Sequence, residues 1–452
     1  MSGPKVVRIV TREEVIAICE GHIAVLASAF ERWQRVGKRN DVIDADDLRR
    51  AENRITAMRD LLAKDQFTEV QKQAPEETAF LKADMERRIE CAVDKATQER
   101  NENRRRLRAA GSVAQALSSK GLGVPPALLQ PEAHSQDELQ SALSQAFALL
   151  VSSAEKPETT DRQRELAAKL GDGEKQATLA DWLATQAATI DGDPALAALE
   201  RQFEHLRALD PNRAKPIGDR LEQVSGDTSS RRTLLIDSLT LDVAEALRAA
   251  LAEANKIEKL RAIEAQLKNF QIPSVATQLS EISRLLAASP TLSEISALTT
   301  AAGAVLEAAL TEQAEVDRRR AVLDGLAELG YEVKEGMQTA WVENGRVILK
   351  SKKSLGYGIE IGGDPSNNMQ VRTVAFANPE DPRDAVADVS AETEFCGDFS
   401  ALQAKIAVSG GELSITKALG VGATPVKRVS ATQEAEVADI LARSGPVTLQ
   451  RR

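Results

Sequence analysis

The sequence predicts a mainly α chain: a multi-helix array or coiled-coil-like bundle followed by a small C-terminal α+β module with an antiparallel sheet. Three observations carry this. Between Thr291 and Val333, small or apolar residues recur at alternating steps of three and four, at Ile295, Leu298, Ala302, Val305, Ala309, Val316, Leu323 and Leu326; Glu312 and Arg319 fall in the same register and break it. That is a helical seam of about 3.5 residues per repeat, the period of a coiled-coil stripe. At Gly330 the period changes, and alternation by two dominates the next stretch. Finally, 42% of residues are hydrophobic but only 3% are aromatic, which suits helices packed on Ala and Leu better than an all-β core.

Taken from the N-terminus, Val6–Val10 is a short extended piece. Thr11 and Glu14 form a T-x-x-E capping box, and Val15, Cys19, His22, Leu26, Phe30 and Trp33 follow on one helical face. His22 sits on that stripe without a partner motif, so it reads as a boundary residue rather than a base or ligand. A second helix is expected over 44–73, ended by Pro75, and a third, heavily charged one over 76–116. Near its end Arg100, Arg104, Arg105, Arg106 and Arg108 cluster against Glu99 and Glu102. Planar guanidinium donors suit phosphate, so the run is a candidate nucleic-acid contact; the plainer reading is a solvated helix end.

Residues 120–134, rich in Pro and Gly, read as a linker between a charged helical region at 1–119 and a second helical region at 135–290. Ser135 and Glu138 form another capping box. Shorter helices are expected at 161–170 and 174–190, and Asp193-Pro194 and Asp210-Pro211 carry the N-cap-plus-N1 signature. The helical pattern resumes over 234–270 and again over 274–288, before the connecting helix at 291–329. A helix of about 39 residues would span roughly 58 Å.

The module is expected at 330–430. Asn344-Gly345, between two apolar alternations, predicts a type I′ hairpin. Residues 356–363 and 369–376 predict two further strands, joined by a turn at 364–368. Asp381-Pro382 predicts a helix cap, and the helix after it is expected to run to Gly410-Gly411 with a split near Gly397. Short strands at 412–420 and 425–429 follow, then a tail at 431–452 with a short helix. Tyr331, Trp341 and Tyr357 read as core of this sheet. Arg346, Lys350, Lys352 and Lys353 form a second basic cluster, a candidate contact for an acidic partner or nucleic acid; lysines also blunt edge strands.

Composition narrows the chemistry. The net charge of −10 argues against nucleic-acid binding by the chain as a whole, but not by a local patch. Cys19, Cys91 and Cys396 are far apart and form no C-x-x-C pair, which argues against a thiolate zinc site or a disulfide framework and fits reduced cysteines in a cytoplasmic protein. Neither a signal peptide nor a membrane span is expected. No phosphate-binding G-x-x-x-x-G-K-[ST], G-x-G-x-x-G, H-E-x-x-H or G-x-S-x-G motif occurs, and His22, His134 and His205 lie in separate regions. The D-G-D at 191–193 lacks the other ligands of a calcium loop. No cofactor or metal is therefore expected.

The functional expectation is a non-enzymatic interaction or scaffold protein. Its helices serve as spacer or oligomerisation region, with the 295–326 seam joining copies, and its module recognises a protein partner. The alternatives are a nucleic-acid-associated accessory protein using the two basic clusters, and an enzyme with a carboxylate-based site in the module.

Overall fold

The computed structural model describes residues 4–152, 194–226, 230–288, 290–363, 368–378 and 382–430. The helices expected at 161–170, 174–190 and 431–444, and most of the 364–368 turn, lie outside these. The chain is mainly α with a small α+β module, as its periodicity predicts. It divides into two compact units, and neither is a continuous stretch. One takes Met1–Arg35, Ile43–Ala83 and Glu253–Arg452; the other takes Val36–Val42 and Asp84–Ala252.

The first unit is built on a six-stranded sheet. The strands are β1 (Lys5–Val10), β2 (Arg346–Lys350), β3 (Tyr357–Gly362), β4 (Met369–Phe376), β5 (Glu412–Ala418) and β6 (Lys427–Val429). The order is β2-β3-β4-β1-β5, all antiparallel, and β6 pairs parallel with β4. The N-terminal segment is thus an interior strand of the module: Lys5 lies opposite Val371 on one side and Ala418 on the other. A module confined to 330–430 would lack this strand. Five alternating residues cannot announce a partner some 360 positions away, because strand pattern specifies a face and not a neighbour.

Thr11 and Glu14 close their capping box directly after β1: Glu14 N–H donates to Thr11 Oγ1 at 3.3 Å, and Thr11 N–H to Glu14 Oε2 at 3.1 Å. This launches α1 (Arg12–Arg39). The next helices are α2 (Ala45–Ala63) and α3 (Phe67–Ser119). The break between them falls at Lys64–Gln66, where Asp65 takes a φ of 56°, and not at Pro75, which lies inside α3. Pro75 removes one donor, but the buried stripe Val70, Ala74, Leu81, Met85 carries the helix past it.

The second unit holds most of α3, then α4 (Pro126–Leu129), α5 (Gln136–Ser152), α6 (Pro194–Leu209), α7 (Pro211–Gly226) and the first part of α8 (Arg232–Leu267). The expected 120–134 linker is instead part of a core. Leu128 on α4 is buried with Leu117, Leu139 and Leu143, so its prolines and glycines shape a tight connection rather than a tether.

Back in the first unit come α9 (Pro273–Ala287), α10 (Leu292–Glu328), α11 (Met337–Asn344) and α12 (Ala385–Val408). The seam helix, α10, is spent twice within one chain. Ile295, Ala302, Leu306 and Ala309 pack on Leu260, Leu267, Val275 and Ile282 of α8 and α9. Val322, Leu323 and Leu326 pack under the sheet with Phe395, Phe399, Leu402 and Ile406 of α12. Between these patches the register-breaking residues are accounted for: Glu312 is exposed, and Arg319 pairs with Glu315 at 2.6 Å. The expected joining of copies through residues 295–326 therefore lacks a free apolar stripe.

Three local expectations are corrected. Asn344-Gly345 closes α11 rather than a hairpin: Gly345 takes a φ of 65° as the helix ends, and β2 begins one residue later. A positive-φ glycine serves a helix C-terminus as well as a type I′ turn. The cap of α12 is Asp384, whose carboxylate accepts from Val386 and Ala387 N–H, not the Asp381-Pro382 pair; Asp381 lies outside the described residues. The helix then runs unbroken through Gly397.

Truncating the intrachain seam should act on stability alone. Ile295→Ala is expected to cost about 2–5 kcal/mol in chemical denaturation, with no change in molar mass by light scattering. A variant that changes the molar mass instead would place the seam between copies.

Candidate interaction surface

The sheet has two unlike faces. On the inner one, Val7, Ile9, Val347, Leu349, Ile359, Ile361, Val371 and Leu413 are buried under α10, α11 and α12. Strand alternation turns the intervening residues to the other side. That outer face carries Val6 and Arg8 of β1, Arg346, Ile348 and Lys350 of β2, Glu360 of β3, and Gln370, Arg372, Val374 and Phe376 of β4. Lys417 lies opposite Val6, Ser414 opposite Arg8, the exposed Glu412 opposite Val10, and Lys427 opposite Val374.

Glu360 is the centre of this face. It is only 3% exposed and sits between Ile348 and Arg372 in register. Three cations converge on its carboxylate: Arg372 Nε donates to Oε2 at 2.6 Å, Lys427 Nζ to Oε1 at 2.8 Å and Oε2 at 3.0 Å, and Arg346 Nη1 to Oε1 at 3.3 Å. Burial pushes the Glu360 carboxyl up, but the hydrogen bonds and charges of Arg372 and Lys427 outweigh it and hold the group below its usual value. The charge ratio leaves the cluster net positive. Arg8, Gln370 and Lys417 beside it are exposed, and the Lys350 ammonium lies 5.2 Å from the centre of the Phe376 ring.

Of the basic cluster the sequence offers at 346–353, only Arg346 and Lys350 belong to this face. Lys352 is exposed in the loop after β2. Lys353 turns to the helical side, where its Nζ donates to Asp398 Oδ1 at 2.9 Å. Tyr331 Oη donates to Asp398 Oδ2 at 3.0 Å. Burial and the Asp398 charge raise the Tyr331 pKa, so this phenol is a structural donor tying β2's flank to α12 and not an activated nucleophile. Tyr357 is similarly bound to Asp388 at 2.9 Å, and burial with that hydrogen bond pushes its pKa up to about 12. Trp341 is core, as expected, but from helix α11.

The arginine run on α3 is largely turned inward. Arg100 Nε donates to Glu204 Oε1 at 3.1 Å, and Arg104 pairs with Glu200, both acids being buried on α6. Arg106 donates to Gln136 at 2.7 Å, Arg105 is half-buried, and Arg108 is exposed. The run fastens two helices. Sequence reasoning missed Arg8, Arg372, Lys417 and Lys427 because no local run contains them; the signal available was the alternation of each strand.

Among the described residues, no group of three or more His, Cys, Asp or Glu side chains is placed to hold a metal ion, and no helix is long and apolar enough to cross a membrane. No family model, curated protein or solved structure matches this chain.

Glu360→Gln should destabilise the module by about 1–3 kcal/mol at neutral pH, since it removes the anion that three cations face. The sign of the pH dependence follows from the lowered carboxyl. Its contribution is complete above the ordinary value of 4.5 and is lost as pH falls through the lower folded value. Urea titrations of both proteins should therefore converge in acid. A constant difference from pH 7 to pH 3 would remove the ion cluster as its cause.

Proposed function

We propose that this chain is a non-enzymatic interaction protein: a helical scaffold carrying a module whose outer sheet face meets an anionic partner. The observation that carries this reading is the contrast between the two faces of one sheet. The inner face is closed by three helices, whereas the outer face presents Arg346, Arg372 and Lys427 around a single buried acid, with Arg8 and Lys417 exposed beside them. Clustered like charge opposes folding and adds nothing to a core. A face that keeps Arg346, Arg372 and Lys427 ordered by pinning them to Glu360 is already arranged for opposite charge and loses less entropy on binding. The alternative of a carboxylate-based enzyme draws less support: of the buried acids at 330–430 among the described residues, Glu360 and Asp398 are each committed to cations on opposite sides of the sheet, and Glu392 accepts from Gly422 N–H at 2.7 Å.

Charge reversal of Arg8 and Lys417, which touch none of the Glu360 contacts, tests the reading. The full chain and the Arg8→Glu/Lys417→Glu variant would be purified identically from cells at low salt. Bound material would be read by ultraviolet absorbance ratio and mass spectrometry. The wild type is expected to carry material that the variant, with unchanged thermal unfolding, lacks. Equal retention by both would exclude the outer face as the recognition surface.

A further inference from the structure

We infer that the outer sheet face binds the phosphate backbone of double-stranded nucleic acid, without reading its bases. This rests on the reading of that face as the recognition surface and names the partner class. The first ground is concentration of charge. A chain of net charge −10 places Arg8, Arg346, Arg372, Lys417 and Lys427 on one face of one sheet. Three of these are arginines, whose forked, weakly hydrated donors match phosphate oxygens. Arg372 engages Glu360 through Nε, and no other partner of this guanidinium exists among the described residues, so its terminal nitrogens remain for a second acceptor.

The second ground is spacing. Arg346 on β2 and Arg8 on β1 are three strand intervals apart, on the order of 14 Å at ~4.8 Å per interval. Successive base pairs rise ~3.4 Å, so the cationic strip covers about four steps of a duplex backbone.

The third ground is what the face omits. A protein-binding surface concentrates its affinity in aromatic or aliphatic anchors at a desolvated centre. Here the centre is a buried ion cluster, and Phe376 lies under Lys350. Single-strand binding draws on exposed aromatic platforms for the bases. The outer-face residues named above include no aromatic besides Phe376, which favours a duplex whose bases stay stacked. Contacts confined to phosphate give affinity with little sequence preference and a steep salt dependence.

The test uses the full chain and two fluorescent 20-base-pair duplexes of unrelated sequence, with binding followed by anisotropy between about 50 and 200 mM salt. The expected log–log salt slope is roughly −3 to −5, from −0.9 per phosphate neutralised, with the two duplexes within about twofold of each other. Arg8→Glu/Lys417→Glu should weaken binding at least tenfold. Arg108→Glu, at the exposed end of the α3 run, should leave it unchanged. Circular dichroism and thermal unfolding confirm that each variant is folded. Loss of binding in Arg108→Glu, retention in Arg8→Glu/Lys417→Glu, or competition by poly-glutamate or anionic lipid vesicles as effective as by unlabelled duplex would overturn the inference. Absence of duplex binding together with a co-purification difference between wild type and variant would leave the face as the recognition surface and remove nucleic acid as its partner. Absence of both would remove the two together.

Discussion

The fold depends on β1 filling the slot between β4 and β5. Without that strand, the facing N–H and C=O groups of β4 and β5 would have no partner, and the inner core would lose Val7 and Ile9, both fully buried. Because β1 opens the described chain and β4 and β5 come near its end, the intervening helices form one long insertion within a sheet. Thermodynamics tolerates this: loop-closure entropy grows only as the logarithm of length, about 0.6 kcal/mol per doubling. Kinetics does not reward it, since pairing so remote in sequence waits on long-range closure. The corner after β1 is correspondingly well tied. Glu14 serves the α1 cap with one oxygen and Arg318 of α10 with the other, at 2.6 Å, so strand, first helix and long helix meet at one carboxylate.

The two faces of the sheet treat charge in opposite ways. Lys5, 3% exposed on the inner side, has its ammonium 4.3 Å from the Phe399 ring centre, 5.0 Å from that of Phe395 and 3.4 Å from Cys396 Sγ. There the charge is absorbed by aromatic faces inside a core. On the outer side Glu360 is equally buried, but its partners are partly exposed: the Arg346, Arg372 and Lys427 side chains retain 50%, 42% and 29% of their accessibility. The cost of burying the carboxylate is offset by cations that keep much of their own hydration, a cheaper arrangement than a pair buried on both sides.

Much of the architecture was legible from local pattern. Ile295, Ala302 and Ala309 mark a buried helical stripe because 3.5-residue spacing has few other realisations, and Thr11–Glu14 and Ser135–Glu138 cap helices because their reciprocal bonds are local. Signals with two uses failed. Asn344-Gly345 supplies positive φ to a helix end here, and Pro75 is outvoted by the stripe around it. The surface was half legible. Arg346 and Lys350 stand in one run, but Arg8, Arg372, Lys417 and Lys427 converge only through strand pairing. In the same way, Glu200 and Glu204, which neutralise Arg104 and Arg100, lie about a hundred residues downstream.

Net charge says little about a single face, for a physical reason. At physiological ionic strength the Debye length is about 8 Å, so a charge more than a few side chains away contributes little to the potential at a given surface. The acidic total of the chain is therefore weak evidence about a face some 14 Å across, estimated from ~4.8 Å strand spacing. What governs that face is its own inventory: one buried acid, Glu360, already shared among Arg346, Arg372 and Lys427, an exposed Glu412 at the start of β5, and further cations at Arg8 and Lys417 with no acid directly opposite them in register. An acidic remainder has a different consequence. Where it is locally acidic it disfavours anions, so on the reading proposed above selectivity for the outer face would draw on repulsion at those surfaces as well as on attraction at this one.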